Sequence, residues 1–130
     1  MSERVDWAQL RLWALRGATT VERNDAEEIL AATQELLSEL MERNALKPQR
    51  MVSCLFTCTD DLDAEFPAVA ARRLGLDAVP LLCTRELAVP GALARVIRVM
   101  VHTYGPPDMR PEHIYLRNAV ELRSDLTSPQ

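Results

Sequence analysis

The sequence predicts a mixed α/β fold: a five-stranded sheet with two main helices in a single domain spanning residues 1–130. Three observations carry that expectation. Ile97, Val99 and Val101 alternate with period two, as in a half-buried strand. Ala26, Ile29, Leu30, Thr33, Leu36, Leu37 and Leu40 recur at helical spacing, with Glu28, Glu35, Glu39 and Glu42 on the opposite side. Between such patterns stand punctuating groups: Lys47-Pro48, Gly75, Pro90-Gly91 and Gly105-Pro106-Pro107.

The first strand is expected over Leu10–Arg16, ended by Gly17. Arg23-Asn24-Asp25 opens the long helix. Asn24 as its N-cap and Glu27 three residues later make a capping-box pattern. Met51–Thr57 reads as a second strand, apolar on both faces as beneath covering helices. Asp60-Asp61-Leu62-Asp63 is a turn that starts a short helix, with Pro67 in its first turn and Gly75 as its stop. Ala68 and Arg72 share one face of that helix, the small side chain leaving room for the long one. Ala78–Cys83 is the third strand, and Pro80 implies an edge position or a bulge. The fourth strand lies within Ala94–Tyr104, and a short fifth covers His113–Leu116 before Ala119–Arg123 and a polar tail at 127–130. Two helices cannot cover both faces of such a sheet. The bare apolar face predicts self-association, most simply into a closed ring.

Composition narrows the function. An apolar content of 48% and a charged content of 26% fit a folded soluble domain. No apolar run approaches the roughly 20 residues a membrane span requires. Asp6 and Arg11 stand where an export signal needs an apolar stretch, and three cysteines lack metal-type pairing, so a cytoplasmic protein with reduced thiols is expected. A net charge of −4 argues against nucleic acid as the main partner.

Against that acidic background Arg98 stands out, because a guanidinium cannot shed its proton to escape burial in an apolar strand. It needs either a core carboxylate or an anionic ligand, and Glu86 is a candidate for either role. Arg16, Arg72 and the stretch Cys83-Thr84-Arg85-Glu86 add to the suggestion of a local anion-binding pocket. Cys83 alone reads as a small buried hydrophobe, since neither His102 nor His113 has the spacing of a thiol partner. Phosphate loops, nucleophile elbows and metal-ligand clusters are absent from the sequence. Positive charges, a carboxylate and a thiol without a proton shuttle fit electrostatic stabilisation of a polyanion better than covalent or metal chemistry.

Taken in order, Leu15-Arg-Gly-Ala-Thr-Thr-Val-Glu22, Phe66-Pro-Ala68 with Arg72, Val79-Pro80 leading to Cys83-x-x-Glu86, Ile97-Arg-Val-Met100, Ile114-Tyr-Leu116 and Ala119-Val-x-Leu-Arg123 become specific. The series resembles the small trimeric chorismate mutases of the pseudo-α/β-barrel type, distinct from the all-helical type, from about Leu15 to Leu126. The resemblance implies a homotrimer with active sites at subunit interfaces. It also implies the cofactor-free, metal-free Claisen rearrangement of chorismate to prephenate, on the route to phenylalanine and tyrosine. It assigns Arg98 to the ether oxygen and a carboxylate, Glu86 and the Cys83 thiol to the ring hydroxyl, and Arg16 with Tyr115 to the enolpyruvyl carboxylate. The backbone of Leu82, Thr84, Arg85 and Glu86 would line the pocket. Phe66, Ala68 and Arg72 would come from the neighbouring subunit, and Leu122 and Arg123 from a closing C-terminal segment. Two departures are visible: Val69 replaces the lysine usual after Phe-Pro-Ala, and residues 1–9 precede the first strand as an extension. A deaminase of the small trimeric barrel families and a non-catalytic binding module are the rival readings.

Overall fold

Alternation sets the phase of the central strand, and the rest of the sheet is built outward from it. The computed structural model describes residues 6–127; the first five residues of the extension and the tail beyond Thr127 lie outside the described residues. The strands are β1 (Arg11–Thr20), β2 (Met51–Cys58), β3 (Leu81–Arg85), β4 (Val96–Gly105) and β5 (Ile114–Tyr115). They lie in the order β3-β2-β4-β1-β5. The central β4 runs antiparallel to β1 and β2, while β3 is parallel to β2 and β5 is parallel to β1. The sheet is therefore mixed, as the sequence implied.

Helices α1 (Ala26–Arg43) and α2 (Ala68–Arg73) cover one face. From β4, Ile97, Val99, Val101 and Thr103 point into that layer and are buried, while Arg98, Met100 and His102 occupy the other face. Leu36, Leu37 and Leu40 of α1 join Leu15, Cys54, Phe56 and Val101 in the main core. The helix forms for the reason its spacing suggests: every one of its core-facing leucines is buried, and its glutamates face outward. Leu12, Leu55, Leu82 and Tyr104 stay substantially exposed. Beneath α1 and α2 the second strand is apolar, but its other face carries Ser53 and Thr57 beside Leu55. The expectation of two covered faces for β2 is corrected on this point.

Several boundaries differ from the sequence reading, each for a local reason. The N-cap of α1 is Asp25, whose carboxylate accepts the Glu28 N–H at 3.0 Å, a charged acceptor at the positive end of the helix. Asn24 instead uses both halves of its amide. Its Oδ1 accepts the N–H groups of Asp63 and Ala64, each at 3.0 Å, and its Nδ2 donates to the Asp63 carboxylate at 2.7 Å. The third strand begins at Leu81, because the chain is still turning over residues 77–79 and Pro80 has no N–H to pair. Its position at the sheet edge is the one Pro80 implied. The fifth strand is shorter than expected and leads into a 3-10 helix, Arg117–Thr127. From the extension, Trp7 packs edge-on against Tyr104 with ring centroids 5.2 Å apart.

Gly17 does not end β1, which continues to Thr20. Its missing side chain is a matter of packing: a Cβ there would lie 3.0 Å from Leu36 Cδ1 and 3.2 Å from Val99 Cγ1. Leu36 is fully buried and has little room to withdraw. Glycine thus lets α1 sit directly on the sheet. Gly17→Val is expected to lower stability by roughly 1–3 kcal/mol through overpacking. A thermal melt indistinguishable from wild type would contradict this.

Candidate active site

The open face of the sheet carries a cavity of about 510 Å³, walled by Arg16, Thr57, Thr84, Glu86, Arg98, His102, Tyr115 and Leu122 among others. Strand register builds it. Arg98, the third residue of β4, lies opposite Thr57 of β2 on one side and Ala18 of β1 on the other. Arg16 enters from β1 beside Met100, and Glu86 follows the last residue of β3.

Arg98 and Glu86 form a two-pronged ion pair. Nε donates to Oε2 at 2.6 Å and Nη2 to Oε1 at 2.7 Å. The Thr57 hydroxyl donates to the same Oε2. Glu86 is further tied down by its own N–H, which donates to the Cys58 carbonyl at 3.0 Å. The Arg98 hydrogen bond holds the Glu86 carboxyl below the usual range and the Thr57 bond adds to this, while burial opposes both. With side-chain exposures of 37% for Arg98 and 15% for Glu86, the pair is the wall of an open cavity and not a sealed core bridge. The two roles that the sequence left open for Arg98 are therefore compatible: it has a carboxylate partner and it faces ligand space.

Arg16 is gripped at both ends by the β5 region. Its Nη2 donates to the Tyr115 hydroxyl at 3.1 Å, and its backbone N–H donates to His113 Nδ1 at 3.0 Å. A backbone N–H can only donate, so that imidazole nitrogen carries no proton. Burial and then the Arg16 charge hold the His113 pKa below 6.5. A histidine with a depressed folded pKa contributes its full stability above its unfolded value, and loses it as pH falls through the folded one. Thermal stability is therefore expected to decline on acidification below about pH 6.5. His113→Asn, which offers a non-titrating oxygen in place of Nδ1, should flatten that part of the profile. An unchanged profile in the asparagine variant would rule the effect out.

The other residues singled out by sequence are placed as follows. Thr84 and Leu122 line the cavity. Leu82 shares the face of Thr84 but is 60% exposed and outside the cavity. Cys83 pairs with Phe56 across β2 and β3, and its side chain packs against the core on the helix-covered face. Cys83 is not among the residues that wall the cavity of the single chain. Arg85 turns to Asp60, with 3.3 Å between Nη1 and Oδ1. Phe66 and Arg72 are exposed near α2, away from the cavity of their own subunit, whereas Ala68 is buried in the core. Arg123 is exposed on the C-terminal 3-10 helix.

Thr57 and His102 were not anticipated. His102 Nδ1 lies 3.1 Å from the Ser53 hydroxyl, farther along the same cavity. The available signal was parity: Ser53 and Thr57 are the polar residues of a strand otherwise apolar or thiol-bearing, and both fall on the side opposite Cys54 and Phe56. Burial pushes the Cys54 and Cys58 thiols up to about 11, so both are neutral near pH 7. Among the described residues, no group of His, Cys, Asp and Glu is arranged to hold a metal ion. No described helix is long and apolar enough to cross a membrane.

A mixed sheet with one bare face, bearing an arginine–glutamate pair at the wall of its cavity, defines a class that comparison with known proteins identifies. A family model for type I chorismate mutases matches residues 12–126. The chain belongs to that family. It is 49% identical over 119 residues to the chorismate mutase AroH of Thermus thermophilus, covering 89% of this chain and 97% of that one. It is 47% identical over 116 residues to the chorismate mutase AroH of Bacillus subtilis, covering 87% and 91%. A solved chorismate mutase structure from Clostridium thermocellum superposes with a TM-score of 0.80 at 47% identity, covering 84% of this chain and 98% of that one. The fold expected from the ordered motifs is thereby established, and the deaminase reading is set aside.

Proposed function

We propose that this enzyme, an isomerase, converts chorismate to prephenate in phenylalanine and tyrosine biosynthesis, and does so as a cytoplasmic homotrimer with its sites between subunits. The observation that carries the chemistry is the Arg98–Glu86 pair standing at the wall of a cavity on the bare face of the sheet. In the rearrangement the ether carbon–oxygen bond breaks as a carbon–carbon bond forms, and no atoms are gained or lost. No nucleophile or proton shuttle is required. Negative charge grows on the ether oxygen, so a fixed guanidinium there binds the transition state more tightly than the ground state.

In this reading Arg98 donates to that oxygen and to a carboxylate, and Glu86 holds the guanidinium in plane and accepts the ring hydroxyl. Arg16, steadied by Tyr115, takes the enolpyruvyl carboxylate. Thr84 and Glu86, at the end of β3, line one wall, and Leu122 and Arg123 close over the ligand. Holding the flexible substrate in its compact form adds through orientation. An acceleration of about 10⁶ corresponds to roughly 8 kcal/mol, of which one well-placed donor can supply roughly 3–4 kcal/mol.

Assembly is supported by the exposed Leu12, Leu55, Leu82 and Tyr104 around the bare face, an apolar surface suited to a second copy of the chain. Phe66 and Arg72, exposed away from their own cavity, are then available to a neighbour's ligand. Val69, in place of a lysine, offers no charge beside them. Three free thiols agree with a reducing compartment. Incubating the purified protein with chorismate and identifying the product by NMR tests the reading. Prephenate is expected; unchanged chorismate or a different product would overturn it.

A further inference from the structure

We infer that Thr57 is a positioning residue for the rearrangement, acting through Glu86 to hold the Arg98 guanidinium in its working orientation. The inference rests on the proposed chorismate chemistry and extends it to a residue that the sequence motifs do not mark. Thr57 is the direct cross-strand partner of Arg98 on β4 and of Thr84 on β3, so it occupies the floor between the two sides of the pocket. Its hydroxyl donates to Glu86 Oε2, the same oxygen that accepts Arg98 Nε at 2.6 Å. The cavity reaches Thr57 itself.

The two-pronged pair holds carboxylate and guanidinium in a common plane, but the terminal torsion of a glutamate side chain is broad and nearly two-fold, so the pair by itself does not fix that plane in the pocket. Arg98 and Glu86 could swing together. A third anchor from a different strand removes that freedom. The backbone bond from Glu86 N–H to the Cys58 carbonyl fixes where the side chain starts, and the Thr57 hydroxyl fixes where one carboxylate oxygen ends. A valine has nearly the same shape and suits a strand equally well. What the threonine adds is the hydroxyl. Among the described residues, the charged or titratable groups that act on the Glu86 carboxylate include Arg98 from β4 and Cys58 from β2, and the Cys58 thiol, with its pKa near 11, is neutral. The Thr57 hydrogen bond also lowers the Glu86 pKa, so its removal moves Glu86 protonation to higher pH.

The test compares kcat, KM and their pH dependence with chorismate for the intact wild-type enzyme, Thr57→Val and Thr57→Ser. Thr57→Val is expected to lose on the order of tenfold or more in kcat, the scale of one hydrogen bond to a charged group, with a smaller change in KM. Its acid limb is expected to move to higher pH. Thr57→Ser, which restores the hydroxyl, should recover both the rate and the limb. A folded Thr57→Val enzyme with wild-type kcat and an unmoved limb would overturn the proposal. So would a serine variant as impaired as the valine one, since that points to the lost methyl and to packing. If the valine variant does not fold, Thr57→Ala removes the same hydroxyl and is judged by the same two readouts. Wild-type protein that leaves chorismate unchanged would overturn the underlying reading, and this role with it, whereas an active wild type with an unaffected variant overturns only the role of Thr57.

Discussion

Arg98→Ala is expected to reduce kcat by about 10²–10³-fold, the scale seen when a preorganised donor to a developing negative charge is removed. The substitution takes away both the charge and its direction. Glu86, left with the Thr57 hydroxyl and its own backbone anchor, loses the first cause of its lowered pKa, and its carboxyl should rise toward the ordinary range. The fold should survive. Breaking a fully buried ion pair costs roughly 3–5 kcal/mol, but Arg98 is 37% exposed and water can reach the vacated space, so the cost here is smaller. Arg98→Lys separates charge from geometry. An ammonium keeps the positive charge but cannot present two parallel donors to both Glu86 oxygens. A lysine variant nearly as slow as the alanine one would show that direction matters as much as charge. Normal turnover by a folded Arg98→Ala enzyme, measured with circular dichroism and sedimentation alongside the assay, would remove Arg98 from the chemistry.

The second large effect concerns the sharing of sites between subunits. Arg98 and Arg72 stand apart within one protomer, one in the cavity and the other exposed near α2. If each site takes Arg98 from one subunit and Arg72 from the next, Arg98→Ala and Arg72→Ala are each strongly impaired alone. Exchanging their subunits at equal concentrations then creates some sites with both arginines intact. For random mixing, a site is whole when one neighbour carries the Arg72 variant and the other the Arg98 variant in the right order, so about a quarter of wild-type activity returns. Activity no greater than the sum of the parents after verified exchange would place both arginines in the same subunit's site or remove Arg72 from it.

How much of this was legible in the sequence follows from what each signal measures. Periodicity reports burial, so α1 and the phase of β4 could be read directly, and Arg98 stood out because it interrupts a buried alternation. Local punctuation is less informative where two causes produce the same residue. Gly17 looked like a stop and is a close-packing site, and Asn24 looked like a cap but ties down residues 63 and 64 while Asp25 caps. The edge strand β3 was the hardest to read. Its burial alternates weakly, so nothing local told that Thr84 faces the cavity while Cys83 faces the core; the pairing of Cys83 with Phe56 decides it. Thr57 escaped notice for a related reason. Its importance depends on which residue lies across from it, and register is a property of two strands at once. The ordered motifs supplied what periodicity could not, bringing residues distant in sequence to one site.

The most direct measurement of the central claim is the affinity of a bicyclic dicarboxylate shaped like the rearranging molecule, determined by calorimetry for wild-type and Arg98→Ala enzyme. A site complementary to the transition state should bind the mimic at least about 10²-fold more tightly than substrate, and the alanine variant should lose most of that advantage. Equal affinity in the two proteins would contradict the account, because the guanidinium would then contribute nothing to what the site was built to hold.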